Sequence, residues 1–110
     1  MSSGDSVMIE GDFYTWSEDN VNKVQAKPAK YELYDESRTL LYIGSSGNLL
    51  ERFKGYLSTN FDNDPCKLRT RSYKREYVDS EAEAKRLEER NLKEYQQRYG
   101  RLPPCNERVG

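Results

Sequence analysis

The stretch Lys30 to Leu57 reads KYELYDESRTLLYIGSSGNLLERFKGYL. Two short apolar runs, Tyr31–Tyr34 and Leu40–Ile43, flank the polar segment Asp35 to Arg38 and read as strands of a hairpin. A two-residue turn at Glu36-Ser37 sets Tyr31 directly opposite Tyr42, with both hydroxyls on one sheet face. A slip by one residue would part them. Gly44 and Gly47 loosen the chain, and a helical pattern follows from about Asn48 to Leu57. Its apolar stripe is Leu49, Leu50, Phe53 and Leu57, while Arg52 and Tyr56 are neighbours on one flank.

Upstream, residues 1–12 read as a flexible tail, and Phe13, Tyr14 and Trp16 as an aromatic arm. The arm is expected to lie over the core as a lid; stacking on nucleic-acid bases is the sharper reading. Ser17 can cap a short helix through Val24, with Glu18 and Asp19 suited to its first turn. Downstream, Ser58 to Pro65 reads as a loop, and the alternating Arg71 to Val78 as a third strand. Ser80 and Glu83 form a capping box that opens a long helix. Its inward stripe is Ala84, Leu87, Glu88, Asn91, Leu92, Tyr95 and Tyr99, and a lone acid such as Glu88 there needs a margin position or a partner. Gly100 ends the helix, and Pro103-Pro104 stiffens a final turn that presents Asn106.

The 110 residues, 35% apolar and 34% charged, suit one domain, expected over residues 13–110. A net charge of −1 names no partner, but its distribution is uneven. Residues 1–20 carry five acids and no lysine or arginine, whereas Lys67, Arg69, Arg71, Lys74 and Arg75 form an acid-free run. That run reads equally as a phosphate-binding face or as a protected strand edge. No apolar stretch reaches membrane-spanning length, and MSSGDSVMIEGD is too polar for a secretory leader. A cytoplasmic setting is expected, with Cys66 and Cys105 as reduced thiols; a disulfide between them is the open alternative. Without histidine or a metal-binding cysteine spacing, no structural zinc site is expected.

The pattern Y-x10-Y-I-G followed by N-L-x-x-R-x-x-x-Y resembles the GIY-YIG nuclease family over residues 29–106. It closely resembles the incision domain at the N-terminus of the bacterial nucleotide-excision endonuclease. The arm FYTWSEDNVNKV and the ending YGRLPPCNE look like small stand-alone members. The resemblance implies an α+β fold, a three-stranded antiparallel sheet flanked by helices. It also implies phosphodiester hydrolysis in DNA with one divalent cation, Mg²⁺ or Mn²⁺. Tyr31 and Tyr42 match the tyrosines that position and activate the attacking water, and Gly44 matches the glycine of the second motif. Arg52 matches the arginine on the scissile phosphate, and Tyr56 a site holding tyrosine or histidine. Glu88 matches the metal-ligand glutamate and Asn106 an asparagine that orients the site. A monomer is expected, with a protein partner as a source of targeting.

These residue types suit the chemistry. Negative charge grows on phosphate oxygens during cleavage, and an arginine and a metal stabilise it. A hard cation takes oxygen ligands and keeps waters, so one glutamate plus phosphate oxygens can suffice. Tyrosine, with a pKa near ~10, needs help from a cation to act as a base. Two positions depart from the family. Ala29 stands where the first motif has glycine, which is expected to crowd the backbone. Ser45 stands where excision-repair relatives often carry lysine. These departures motivate a second reading, a nucleic-acid-binding module without cleavage. A third reading is a protein-interaction domain that uses the aromatic arm.

Overall fold

The computed structural model describes residues 13–106. The expected tail, residues 1–12, lies outside the described residues. The elements run β1 (Tyr14–Thr15), α1 (Glu18–Asn22), β2 (Ala29–Tyr34), β3 (Leu40–Ser46), α2 (Leu49–Thr59), β4 (Ser72–Tyr77) and α3 (Glu81–Tyr99). Two short 3-10 turns, Phe61–Asn63 and Lys67–Arg69, lie between α2 and β4. The helices start where their caps dictate: Ser17, Asn48 and Ser80 each accept a backbone N–H from the first turn. Gly100, at φ 79°, closes α3. α1 stops at Asn22, short of the expected Val24.

The sheet has four antiparallel strands in the order β1-β4-β2-β3, not the expected three. The extra strand is the aromatic arm itself, whose Tyr14 pairs with Tyr73 and Thr15 with Ser72. Strand propensity in so short a segment is too weak to read from sequence; the neighbouring β4 edge supplies the pairing. Trp16 then turns into the core, 5.0 Å from Phe53, 5.1 Å from Phe61 and 5.9 Å from Tyr73 between ring centres. Phe13 meets Tyr34 edge-on at 4.8 Å. The lid reading holds, and the arm is committed to the fold rather than held out for a partner.

β2 is buried along its whole length because both faces of the sheet are covered. One face packs Tyr31, Leu33 and Tyr73 against Leu49, Phe53 and Tyr56 of α2. The other packs Tyr34, Leu40 and Ile43 near Leu92 and Tyr95 of α3. This second face also takes Lys30 and Glu32, 2% and 0% exposed. Such burial is tolerable only with partners. The Lys30 ammonium donates to Glu32 at 3.0 Å and to the Asn91 side-chain oxygen, while the Tyr34 hydroxyl donates to the other Glu32 oxygen. Asn91 is inward as expected. Tyr99 is not: it is 51% exposed and rests on Tyr95. Ala29 lies in the core with ladder partners on both sides, Ser46 and Tyr77, so the methyl group is accommodated.

The hairpin register differs from expectation. Tyr31 lies opposite Gly44, and Leu33 opposite Tyr42. The connection is wider than two residues. The Asp35 carboxylate accepts the N–H groups of Ser37 and Thr39, Arg38 adopts φ 63°, and the register shifts between Leu33 and Tyr34. The slip amounts to two residues, one full side-chain period, so Tyr31 and Tyr42 still share a face.

The expectation of two reduced thiols is also overturned. Cys66 and Cys105 form a disulfide, with their Cα atoms 5.6 Å apart. After α3 the chain returns across β3, and the Cys105 N–H donates to the Leu41 carbonyl at 2.8 Å. That return brings together two cysteines separated by 39 residues, which no local spacing could reveal.

Candidate active site

The site forms where α2 crosses the Tyr31 face of the sheet. Arg52 and Tyr56 lie one turn apart on α2, and the register of β2 against β3 sets Tyr31 diagonally from Tyr42. The Tyr31 and Tyr56 oxygens are 2.6 Å apart and share a hydrogen bond. Arg52 Nη1 donates to the Tyr31 oxygen at 3.3 Å and to the Ser45 carbonyl at 3.2 Å. The Tyr42 ring centre is 6.1 Å from that of Tyr31. Gly44 makes this approach possible: a Cβ there would fall 2.5 Å from Tyr31 Cζ and 2.7 Å from Tyr42 Cε2.

Glu88 reaches the same strand end from α3. Its Oε1 accepts a hydrogen bond from the Ser45 hydroxyl. Ser45 therefore links two site residues, with its carbonyl on Arg52 and its hydroxyl on Glu88. The sequence marked Ser45 only as a missing lysine; its place on the strand next to Gly44 was the available signal. Asn106 sits on the returning C-terminal segment and clasps β3. Its side-chain oxygen accepts the Ile43 N–H at 2.9 Å, and its amide donates to the Ile43 carbonyl at 3.0 Å. Asn106 thus props the strand one residue beyond Tyr42.

Burial governs the electrostatics. Tyr31 is raised well above the usual tyrosine range by burial, then by Tyr56 and Tyr42. Burial, then Tyr56 and Glu88, pushes Tyr42 up to about 12. Tyr56 is also raised, again chiefly by burial. Burial would lower Arg52, but the adjacent Tyr31 and Tyr56 oxygens outweigh it, and its pKa is raised. At neutral pH the cluster holds three neutral phenols and one guanidinium. A cleft of about 360 Å³ opens beside it, lined by Ser46, Asn48, Glu51, Arg52, Tyr56 and Asp62 among others.

The basic run does not form one face. Lys67 lies with its ammonium 4.2 Å from the centre of the Tyr42 ring and 5.6 Å from that of Tyr56. Arg69 pairs with Asp35 at 3.5 Å, and Arg71 donates to the Leu68 and Thr70 carbonyls. Alternation along β4 sends Lys74 towards Phe13 and Tyr34, and Arg75 towards Tyr14 and Tyr77. The third dimension thus delivers one member of the run, Lys67, to the phenols.

The model of the UvrC-like GIY-YIG domain matches residues 27–100, well over half of the chain. The chain belongs to this GIY-YIG family. Its domain is of the nuclease type. UvrABC system protein C of Porphyromonas gingivalis is 35% identical over 79 residues, 69% of this chain and 13% of that protein. The protein of the same name from Methanococcus maripaludis is 32% identical over 83 residues, 73% of this chain and 16% of its own length. That from Rickettsia rickettsii is 31% identical over 74 residues, 66% of this chain and 12% of its own. The chain therefore spans only about an eighth to a sixth of these relatives.

No group of three or more acidic, histidine or cysteine side chains that could hold a metal occurs among the described residues. The oxygen donors where α3 meets the end of β3 include the Glu88 carboxylate and the Ser45 hydroxyl. One carboxylate with water and substrate oxygens is a donor set that suits a hard divalent cation such as Mg²⁺. Among the same residues, no helix is long and apolar enough to cross a membrane.

Proposed function

We propose that the chain is a divalent-metal-dependent endonuclease that hydrolyses phosphodiester bonds in DNA, using one Mg²⁺ or Mn²⁺ held by Glu88. The observation that carries this reading is the meeting of Arg52 with the Tyr31 hydroxyl beside an open cleft, with Glu88 joined through Ser45. When bound, the cation would supply Lewis acidity to the phosphate and lower the pKa of a bound water.

The chain's own residues do the rest. Arg52, kept charged, stabilises negative charge on the phosphate oxygens. Tyr31 and Tyr56 pass hydrogen-bond polarity along their 2.6 Å contact and orient the attacking water. Tyr42, between the phenols and Glu88, holds the same water from the other side. Because burial keeps these phenols protonated, they orient rather than deprotonate until positive charge is brought next to them. Asn106 fixes the strand that carries Tyr42. Of the basic run, Lys67 gives a salt-sensitive contact to the DNA backbone beside the phenols, while Arg69, Arg71, Lys74 and Arg75, turned to other surfaces, add longer-range attraction.

The protein acts as a monomer, in DNA repair or related processing, with a partner supplying the choice of substrate. A cytoplasmic setting is in tension with the disulfide, which persists mainly in oxidising compartments. The test is a panel of labelled linear, single-stranded and branched DNAs with Mg²⁺ or Mn²⁺, comparing wild type with Glu88→Ala. Wild type is expected to cleave, and the variant to bind without cleaving. Binding without cleavage by either would favour the module reading that Ser45 and the protonated phenols suggest. Equal cleavage by both would remove Glu88 from the mechanism.

A further inference from the structure

A short C-terminal segment holds the backbone on both sides of Tyr42. Cys105 donates its N–H to the carbonyl of Leu41, and Asn106 clasps both backbone groups of Ile43. These are the two residues that flank Tyr42. The disulfide then joins Cys105 to Cys66, the residue before Lys67. Cys66 is itself set by an N–H bond of 3.0 Å to the Asp64 carboxylate, and the turn beyond it closes through Thr70 N–H to the Lys67 carbonyl at 3.0 Å. The bridge thus ties the Lys67 turn to the strand on either side of Tyr42. The Lys67 ammonium ends 4.2 Å from the Tyr42 ring centre.

The site's other cation, Arg52, lies on the Tyr31 oxygen. Two cations from two separate elements therefore meet the phenol cluster, one at Tyr31 and one over Tyr42 and Tyr56. A cation resting on tyrosine rings can be simple packing. The bridge adds a second constraint: it ties this turn covalently to the C-terminal segment, which is in turn hydrogen-bonded to the strand on either side of Tyr42.

We propose that Lys67 is a phosphate-binding group of the active site itself, seated over Tyr42 by the Cys66–Cys105 bridge, and distinct in this from the rest of the basic run. The proposal rests on the nuclease reading for its substrate, a phosphodiester. Lys67 binds one phosphate oxygen while Arg52 takes charge at another. The lysyl stem stays against the rings, and the ammonium moves the short distance from ring to phosphate. Arginine would keep this charge; methionine would keep only the packing.

The test uses the full chain and duplex DNA, with Lys67→Met, Lys67→Arg and an exposed control, Lys93→Met on α3. Affinity is measured without divalent ion as a function of salt, and cleavage with Mg²⁺ or Mn²⁺. Lys67→Met is expected to lower kcat/KM by about tenfold or more, and to reduce the slope of log affinity against log salt by about one. Lys67→Arg is expected to retain most of both, and Lys93→Met to match wild type. Circular dichroism confirms that each variant is folded.

An unchanged salt slope in Lys67→Met, or equal losses in the Met and Arg variants, would overturn the proposal. If wild type binds but does not cleave, the nuclease reading and the active-site role of Lys67 fail together, while the salt slope still decides whether Lys67 meets a phosphate. If it neither binds nor cleaves, both fall. The seating is tested in the Cys66→Ser/Cys105→Ser background. There Lys67→Met should matter several-fold less. An equal effect with and without the bridge would overturn that part.

Discussion

The two faces of the sheet bury polar groups in opposite ways. Under α3, Lys30, Glu32, Tyr34 and Asn91 close on one another, and the charged pair is sealed from solvent. Under α2, Tyr31, Tyr56 and Arg52 also converge, but beside an open cleft. Buried polarity alone therefore does not mark a site here. Both clusters have hydrogen-bonded phenols and a cation. They differ in access, and only the α2 cluster can offer its cation to an incoming anion.

The sharpest way to break this comparison is to remove one cation from each face. Lys30→Met leaves Glu32 buried without its counter-charge and should cost about 3–5 kcal/mol in a urea melt. Replacing both partners, Lys30→Met with Glu32→Leu, should recover most of that loss, because a well-packed apolar pair carries no desolvation penalty. Arg52→Ala should behave inversely. Stability should change by less than ~1 kcal/mol, while cleavage falls by a factor of ~100 or more, as for a lost transition-state donor. If Arg52→Ala destabilises as much as Lys30→Met, the division into a structural face and a working face is wrong.

Gly44 offers a smaller and more local test. A methyl group there meets the Tyr31 ring, which cannot retreat because it is wedged against Phe53 and Tyr56. Gly44→Ala should cost about 1–3 kcal/mol by overpacking, and the displaced phenol should lower cleavage more than the melt alone would suggest. Ala29→Gly, at the first motif where the chain departs from the family, has no such clash to relieve, since Ala29 is seated in the core with both ladders intact. A Gly44→Ala variant with wild-type cleavage would mean that the Tyr31–Tyr42 approach is not needed.

What the sequence disclosed and what it hid follow from the range of the forces involved. The caps at Ser17 and Ser80, the α2 stripe and the shared face of Tyr31 and Tyr42 are local or periodic, so they are legible. The hairpin turn is not legible in the sequence because Asp35 accepts two N–H groups and widens the loop, a side-chain bond that a strand pattern does not encode. The disulfide, the clasp of Asn106 on Ile43 and the Lys30–Glu32–Asn91 cluster join residues distant in sequence or rest on the chain's return path. Lys67 was visible as a charge in a run. Its separation from Arg69, Arg71, Lys74 and Arg75 exists only once the turn and β4 have formed.

The mildest test of the two faces is alkaline titration. Tyr42 and Tyr73, on the α2 face, are each pushed up to about 12, with burial the first cause in both. Tyr34, on the α3 face, is raised further still, by burial and then by Glu32. An unfolded tyrosine ionises near ~10. A phenol whose folded pKa is higher contributes stability that is intact below ~10 and is lost as pH rises towards the folded value, because the unfolded chain releases its proton first. Urea midpoints should therefore hold level up to about pH 10 and fall steadily towards pH 12. Tyr42→Phe should shallow the fall by removing one such group, and Tyr34→Phe should shallow it too. The two variants part in cleavage: Tyr42→Phe should lose rate at neutral pH, whereas Tyr34→Phe, in the closed cluster, should lose rate only so far as it loses fold. Equal losses of rate at equal stability would place both clusters in the same chemistry and undo the distinction between them.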